Sequence, residues 1–168
     1  MFYNVKNRQG GVWLNLNIVL FQPEIPQNTG NIGRTCVLTD ATLHLIKPLG
    51  FSIDDKQLKR SGLDYWTYLK LEVHESYEEL RQKYPDSTFY FSTTKATKKY
   101  SDVAYKEGDF IVFGRESSGL PDYIREENKE NLIRLPMLES STRSLNLSNS
   151  VAIMVYEALR QMDFPNMK

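Results

Sequence analysis

The chain has 168 residues, 40% of them apolar and 25% charged, a length that suits one domain with a substantial buried core. Lys+Arg and Asp+Glu both number 21, so there is no global positive field with which to hold nucleic acid. The single cysteine, Cys36, excludes an internal disulfide, and no run approaches the ~18–20 apolar residues that cross a bilayer.

Residues 1–14 lack the long apolar core of a signal peptide, so we expect an N-terminal extension ahead of a single domain over 15–168 and a cytoplasmic protein. Leu16–Phe21 (LNIVLF) is short, apolar and β-branched, and predicts the first buried strand. The loop QPEIPQNTGN leads into a helix over Ile32–Leu38, with Asn28 or Thr29 as its cap and Gly33 as an internal weak point. Further strands are expected at Leu43–Ile46, Leu69–Val73, Thr88–Ser92, Phe110–Phe113 and Leu132–Leu135. Helical pieces lie between them at Asp54–Arg60 and Tyr77–Tyr84, the latter capped by Ser76, with a short turn near Pro121–Arg125. Strands alternating with helices predict an α/β layer with a mainly parallel sheet.

The chain closes on a helix from about Leu147 to Met162, capped by Ser144 or Asn146. Val151, Ala152, Val155, Leu159 and Met162 form its core-facing stripe. Ile153, Met154 and Tyr156 place apolar surface on its other faces, which suggests a second partner, most simply another copy of the chain. His44 and His74 stand far apart with no ligand spacing around them, and there is no CxxC pair, so no metal site is expected.

Three glycine- and asparagine-rich loops follow predicted strands, where open α/β sheets bind ligands. They are Pro26 to Arg34, Phe113 to Pro121, and Leu135 to Ser148. None contains the Gly-Lys-Ser/Thr of a phosphate-cradling loop or the G-x-G-x-x-G dinucleotide fingerprint. Singly, each loop has a structural explanation: Gly114 and Gly119 can supply positive φ, and the Asn and Ser residues can cap helices.

Together, the segments PEIPQNTGNIGR, LIKPLGF with DDKQLKRSGLDY, and Thr142-Arg143-Ser144-Leu145-Asn146-Leu147-Ser148-Asn149-Ser150-Val151-Ala152 resemble the three motifs of the SPOUT superfamily of RNA methyltransferases. The likeness is greatest to the branch that methylates the ribose 2′-hydroxyl of the tRNA wobble nucleotide, and it runs from about Leu16 to Phe164. The resemblance implies an α/β fold with helices on both sheet faces and a C-terminal trefoil knot, which periodicity could not have revealed. It also implies S-adenosylmethionine as methyl donor, S-adenosylhomocysteine as product, no metal, and a homodimer through the first and last helices with Tyr156 in the interface. The implied substrate is the anticodon stem-loop of tRNA, with cytidine or uridine of leucine tRNAs as target.

By the same resemblance, Ser92, Gly114, Leu135, Ser144 and Leu145 match cofactor contacts, Ser92 standing where an apolar residue is expected. Arg34 matches the arginine at the reactive hydroxyl, and Asn28, Glu116 and Asn146 match further catalytic positions. A guanidinium stays protonated in proteins, so Arg34 suits electrostatic stabilisation better than general-base work. Glu116 would anchor Arg34 or orient the ribose, and Asn146 would brace its loop. Local charge must hold the RNA: Lys56, Lys59 and Arg60 form one cluster, Lys95, Lys98 and Lys99 another, with Arg115 and Arg143 beside the loops. Tyr65 or Trp66 offers a stacking surface for an unpaired base. Two alternatives stay open, a SPOUT enzyme acting on another tRNA or rRNA position and a non-catalytic RNA-binding module.

Overall fold

The computed structural model describes residues 15–53, 64–141 and 143–168. The predicted helix Asp54–Arg60, the Lys56/Lys59/Arg60 cluster and the N-terminal extension lie outside them. Six strands form one wholly parallel sheet: β1 Asn17–Phe21, β2 Thr42–Ile46, β3 Lys70–His74, β4 Phe89–Ser92, β5 Phe110–Phe113 and β6 Leu132–Ile133. Their order is β3-β2-β1-β5-β4-β6. All six strands fall within a residue or two of their expected places, because each is a short apolar or alternating run bounded by turn residues. Strand β6 stops at Ile133, since Arg134 leaves the ladder to pair with Lys99.

Strand periodicity divides the core into two layers. Ile18 and Leu20 of β1 face one layer with Leu43, Leu45, Ile111 and Phe113. Helices α1 (Pro26–Thr39) and α4 (Leu147–Gln161) cover it with Ile32, Cys36, Val151, Val155 and Leu159. Val19 and Phe21 face the other layer with Phe89, Phe91, Phe110 and Val112. There α2 (Tyr77–Lys83) and α3 (Asp122–Glu127) contribute Tyr77, Leu80 and Ile124. Burying each of these large side chains stabilises the fold by about 1.5–3 kcal/mol before chain entropy is counted.

Helix α2 starts as expected, with the Ser76 hydroxyl accepting from the Glu79 amide at 3.2 Å. Helix α1 does not. It starts at Pro26, six residues before the expected Ile32, because proline fits the first helical turn, where an N–H would have no partner. Asn28 and Thr29 therefore sit buried inside the helix rather than capping it. In α4, Asn146 rather than Ser144 is the cap, its side chain accepting from the Ser148 amide at 2.9 Å. Met154, expected on another face of α4, is wholly buried in the core stripe, whereas Ile153 and Tyr156 point outward at 40% and 45% exposure. Among the described residues no helix is long and apolar enough to cross a membrane.

Candidate functional site

Strands β1 and β5 are neighbours at the sheet centre, yet one is followed by a helix leading to β2 and the other by a chain crossing over β4 to β6. Such a reversal opens a crevice at the carboxyl ends of the strands. A cavity of about 660 Å³ lies there, within the size range of small-molecule sites. Its walls come from the start of α1 (Ile25, Asn28), the end of β4 (Ser92 to Lys95), the turn after β5 (Gly114 to Leu120), and the segment from Leu135 to Ser150.

Hydrogen bonds tie these segments together. The Glu116 carboxylate accepts from the Glu24 amide at 2.8 Å, the Ile25 amide at 3.2 Å and the Asn28 side-chain amide at 3.2 Å. It thereby fixes the chain entering α1, whose first turn holds no acidic residue and no side-chain cap. Asn28 Oδ1 in turn accepts from Asn146 Nδ2 at 3.1 Å, and Asn146 Oδ1 accepts from the Ser148 amide and hydroxyl. One chain of polar contacts thus runs from the β5 turn through α1 to the cap of α4.

The reverse tie is made by Glu24, whose carboxylate accepts from the Ser117 amide at 2.9 Å and hydroxyl at 2.8 Å. Those two donors hold the Glu24 carboxyl below its ordinary value. Arg115 donates to Gln22 and lies over the Phe21 ring at 5.4 Å. Within the turn, Arg115 and Gly119 exchange backbone bonds of 3.1 and 2.9 Å. Gly119 takes φ 70°, as expected for a turn glycine. Gly114 has no positive φ. Its role is close approach, because an added Cβ would meet the Gly119 carbonyl carbon at 2.1 Å and the Leu120 nitrogen at 2.2 Å.

The model of the SpoU rRNA methylase family matches residues 15–156. The chain belongs to this family. It is 53% identical over 156 residues to a Bacillus subtilis (strain 168) relative assigned as a tRNA (cytidine(34)-2′-O)-methyltransferase, covering 91% of this chain and 97% of the relative. Similarity to the tRNA (cytidine(34)-2′-O)-methyltransferase of Methylovorus glucosotrophus (strain SIP3-4) is 52% over 149 residues, covering 88% of this chain and 96% of that one. Among solved structures, one concerned with 2′-hydroxyl methylation of C/U34 on tRNA superposes with a TM-score of 0.82 at 38% identity, covering 88% of this chain and 96% of the other. A SpoU methyltransferase from Streptomyces viridochromogenes, AviRb, shares the fold with a TM-score of 0.76 at 21% identity, covering 97% of this chain and 66% of that one.

In this SpoU methylase the cavity gathers eight of the nine expected site residues: Asn28, Ser92, Gly114, Glu116, Leu135, Ser144, Leu145 and Asn146. Arg34 is not among the lining residues. It lies six residues beyond Asn28 on α1, about 9 Å along the axis and roughly 240° around it. There it is exposed, its guanidinium 4.9 Å over the Tyr65 ring. Tyr65 donates to the Gly30 carbonyl at 2.6 Å, so the aromatic ring is engaged with α1. Glu116 does not touch Arg34; its partners are the backbone and Asn28.

Four cations, Lys95, Arg115, Arg125 and Arg143, line the cavity. Arg125, which the sequence offered only as part of a turn, reaches the Leu120 carbonyl from α3. The expectation that His44 and His74 stand apart is overturned. Parallel pairing of β2 with β3 places His44 opposite Glu72, and the two rings meet at 3.1 Å between Nδ1 and Nε2. No spacing rule along the chain reports a contact made across a sheet.

Proposed function

We propose that this SpoU methylase is an S-adenosylmethionine-dependent tRNA methyltransferase that methylates the ribose 2′-hydroxyl of the wobble cytidine or uridine. The observation that carries the reading is the convergence of three separated loops, and eight expected site residues, on one cavity at the strands' carboxyl ends. Its size, its backbone-lined turn at Gly114 and its apolar walls Leu135, Met137 and Leu145 fit an adenosine with a short charged tail. When bound, that cofactor supplies an electrophilic methyl group, and the transfer needs no metal.

The protein's own contribution is positioning, which supplies up to roughly 7–11 kcal/mol in ideal cases. Glu116, Asn28 and Asn146 hold the cavity walls in register. Lys95, Arg115, Arg125 and Arg143 hold backbone phosphates of the anticodon stem-loop. Arg34 stabilises the developing alkoxide from outside the cavity of its own chain. We place it at the cavity of a second copy, in a homodimer built on α1 and α4, with the trefoil crossing of the superfamily beneath it.

The test is to incubate the protein with S-adenosylmethionine and unmodified total tRNA and map 2′-O-methylation by nucleotide. Methylation at the wobble position is expected. Methylation only elsewhere would select the alternative of another tRNA or rRNA target, and none on any RNA would select the binding module. Arg34→Ala should abolish transfer while leaving cofactor affinity in calorimetry nearly unchanged. An equal loss of cofactor binding would mean that Arg34 belongs to the cofactor pocket.

A further inference from the structure

A second polar cluster lies on the sheet face covered by α2, and none of its members lines the cavity. His44 on β2 and Glu72 on β3 are register partners, and His74 follows two residues later on the same face. Both histidines are buried. Glu72 Oε2 lies 3.6 Å from His44 Nδ1 and 3.6 Å from His74 Nε2, the two nitrogens being 3.1 Å apart. A point equidistant from the three atoms of that triangle is about 2.0 Å from each, the length of a zinc–nitrogen or zinc–oxygen bond.

The surroundings aim the first ligand. Asn17 Nδ2 donates to the Asn15 and Gly108 carbonyls, each at 3.1 Å, so its oxygen faces His44 Nε2 at 3.0 Å and accepts that proton. His44 Nδ1 is therefore the ring's acceptor, and it takes the His74 Nε2 proton across the 3.1 Å between them. A histidine ligand whose other ring nitrogen donates to a fixed oxygen is the usual outer arrangement of a metal site.

We propose that His44, Glu72 and His74 bind one Zn²⁺, which clips β2 to β3 and plays no part in methyl transfer. Two imidazoles and one carboxylate, with water in the fourth position, form a common zinc donor set. Uptake requires the His74 ring proton to move from Nε2 to Nδ1, with no proton released. Lys83, whose ammonium group lies 2.8 Å from the same Glu72 oxygen, is the cation that zinc displaces.

The full chain, stripped with a chelator and dialysed, is titrated with zinc chloride by calorimetry, and with Co²⁺ while the visible spectrum is followed. One equivalent per chain and the intense bands of tetrahedral Co²⁺ are expected. Glu72→Gln and His74→Gln should each weaken binding at least tenfold, while Lys83→Ala should tighten it several-fold. S-adenosylmethionine affinity should be unchanged in all three. Glu72 is half-buried, so its glutamine variant keeps the fold, which circular dichroism checks. Absence of stoichiometric uptake by the wild-type chain, or uptake unaltered in Glu72→Gln, would overturn the proposal.

Discussion

Gly114 and Gly119 belong to one turn and are needed for opposite reasons. At Gly119 the space around a Cβ is open and the constraint is φ 70°, so Gly119→Ala should cost only the ~1–2 kcal/mol of a left-handed residue. At Gly114 the obstacle is backbone 2.1 Å away, which has no rotamer to escape through. Gly114→Ala should destabilise by about 3 kcal/mol or more and open the turn. Urea denaturation of the two variants should give that order, with cofactor binding lost only in Gly114→Ala; the reverse order would mean that φ governs the turn. Cys36 is a second residue whose chemistry follows from place. Burial pushes its thiol up from 9.0 to about 12. The folded value lies above the unfolded one, so this contribution to stability is complete below pH 9 and is lost as pH rises from 9 toward 12. At pH 8 a disulfide reagent should leave Cys36 untouched in the native protein and titrate one thiol after denaturation.

At the scale of elements, α1 shows how a helix can be started by a side chain far along the chain. Its own first turn has a proline and no acidic residue or side-chain cap, and the carboxylate of Glu116 instead fixes the entering chain by accepting from the Glu24 and Ile25 amides just ahead of it. Glu116→Ala removes three acceptor contacts and should cost about 1–2 kcal/mol, the range for losing a cap. Because the same carboxylate fixes Asn28, and Asn28 fixes Asn146, transfer should fall at least tenfold as well; denaturation and initial rates measure the two effects. A fall in rate with full stability retained would point to direct contact with substrate instead. This arrangement explains what could be read in advance. Strands were legible because apolar runs such as Phe110–Phe113 carry their own boundaries, and α2 because Ser76 caps it locally. The start of α1 was not, since its stabilising partner lies about 90 residues away. Met154 was misplaced for a related reason: the stripe facing the core depends on how α4 lies against α1, which spacing along α4 alone leaves open.

At the scale of the whole molecule, the cavity and Arg34 do not coincide within one chain. The loops that build the cavity were identified from their resemblance, and the sheet topology then explains why they meet. Arg34 shares α1 with Asn28 but faces away from it, and near the far end of the same helix Leu38 is 67% exposed. Helices α1 and α4 pack against one another in the same core layer. The outward residues of α4, Ile153 and Tyr156, add apolar surface with no partner in the chain's own core. A second copy laid across α1 and α4 would cover these side chains and bring in an Arg34 from outside. If so, the cofactor site belongs to one chain and catalysis to two. Tyr156→Arg, an exposed position whose substitution leaves the buried stripe intact, should then turn a dimer into a monomer in sedimentation equilibrium. The monomer should unfold as a native-like protein and bind S-adenosylmethionine within a few-fold of wild type, yet show at least a hundredfold less methyl transfer. Full activity in a demonstrably monomeric variant would return Arg34 to its own cavity, reached by a rearrangement of α1 rather than by a partner.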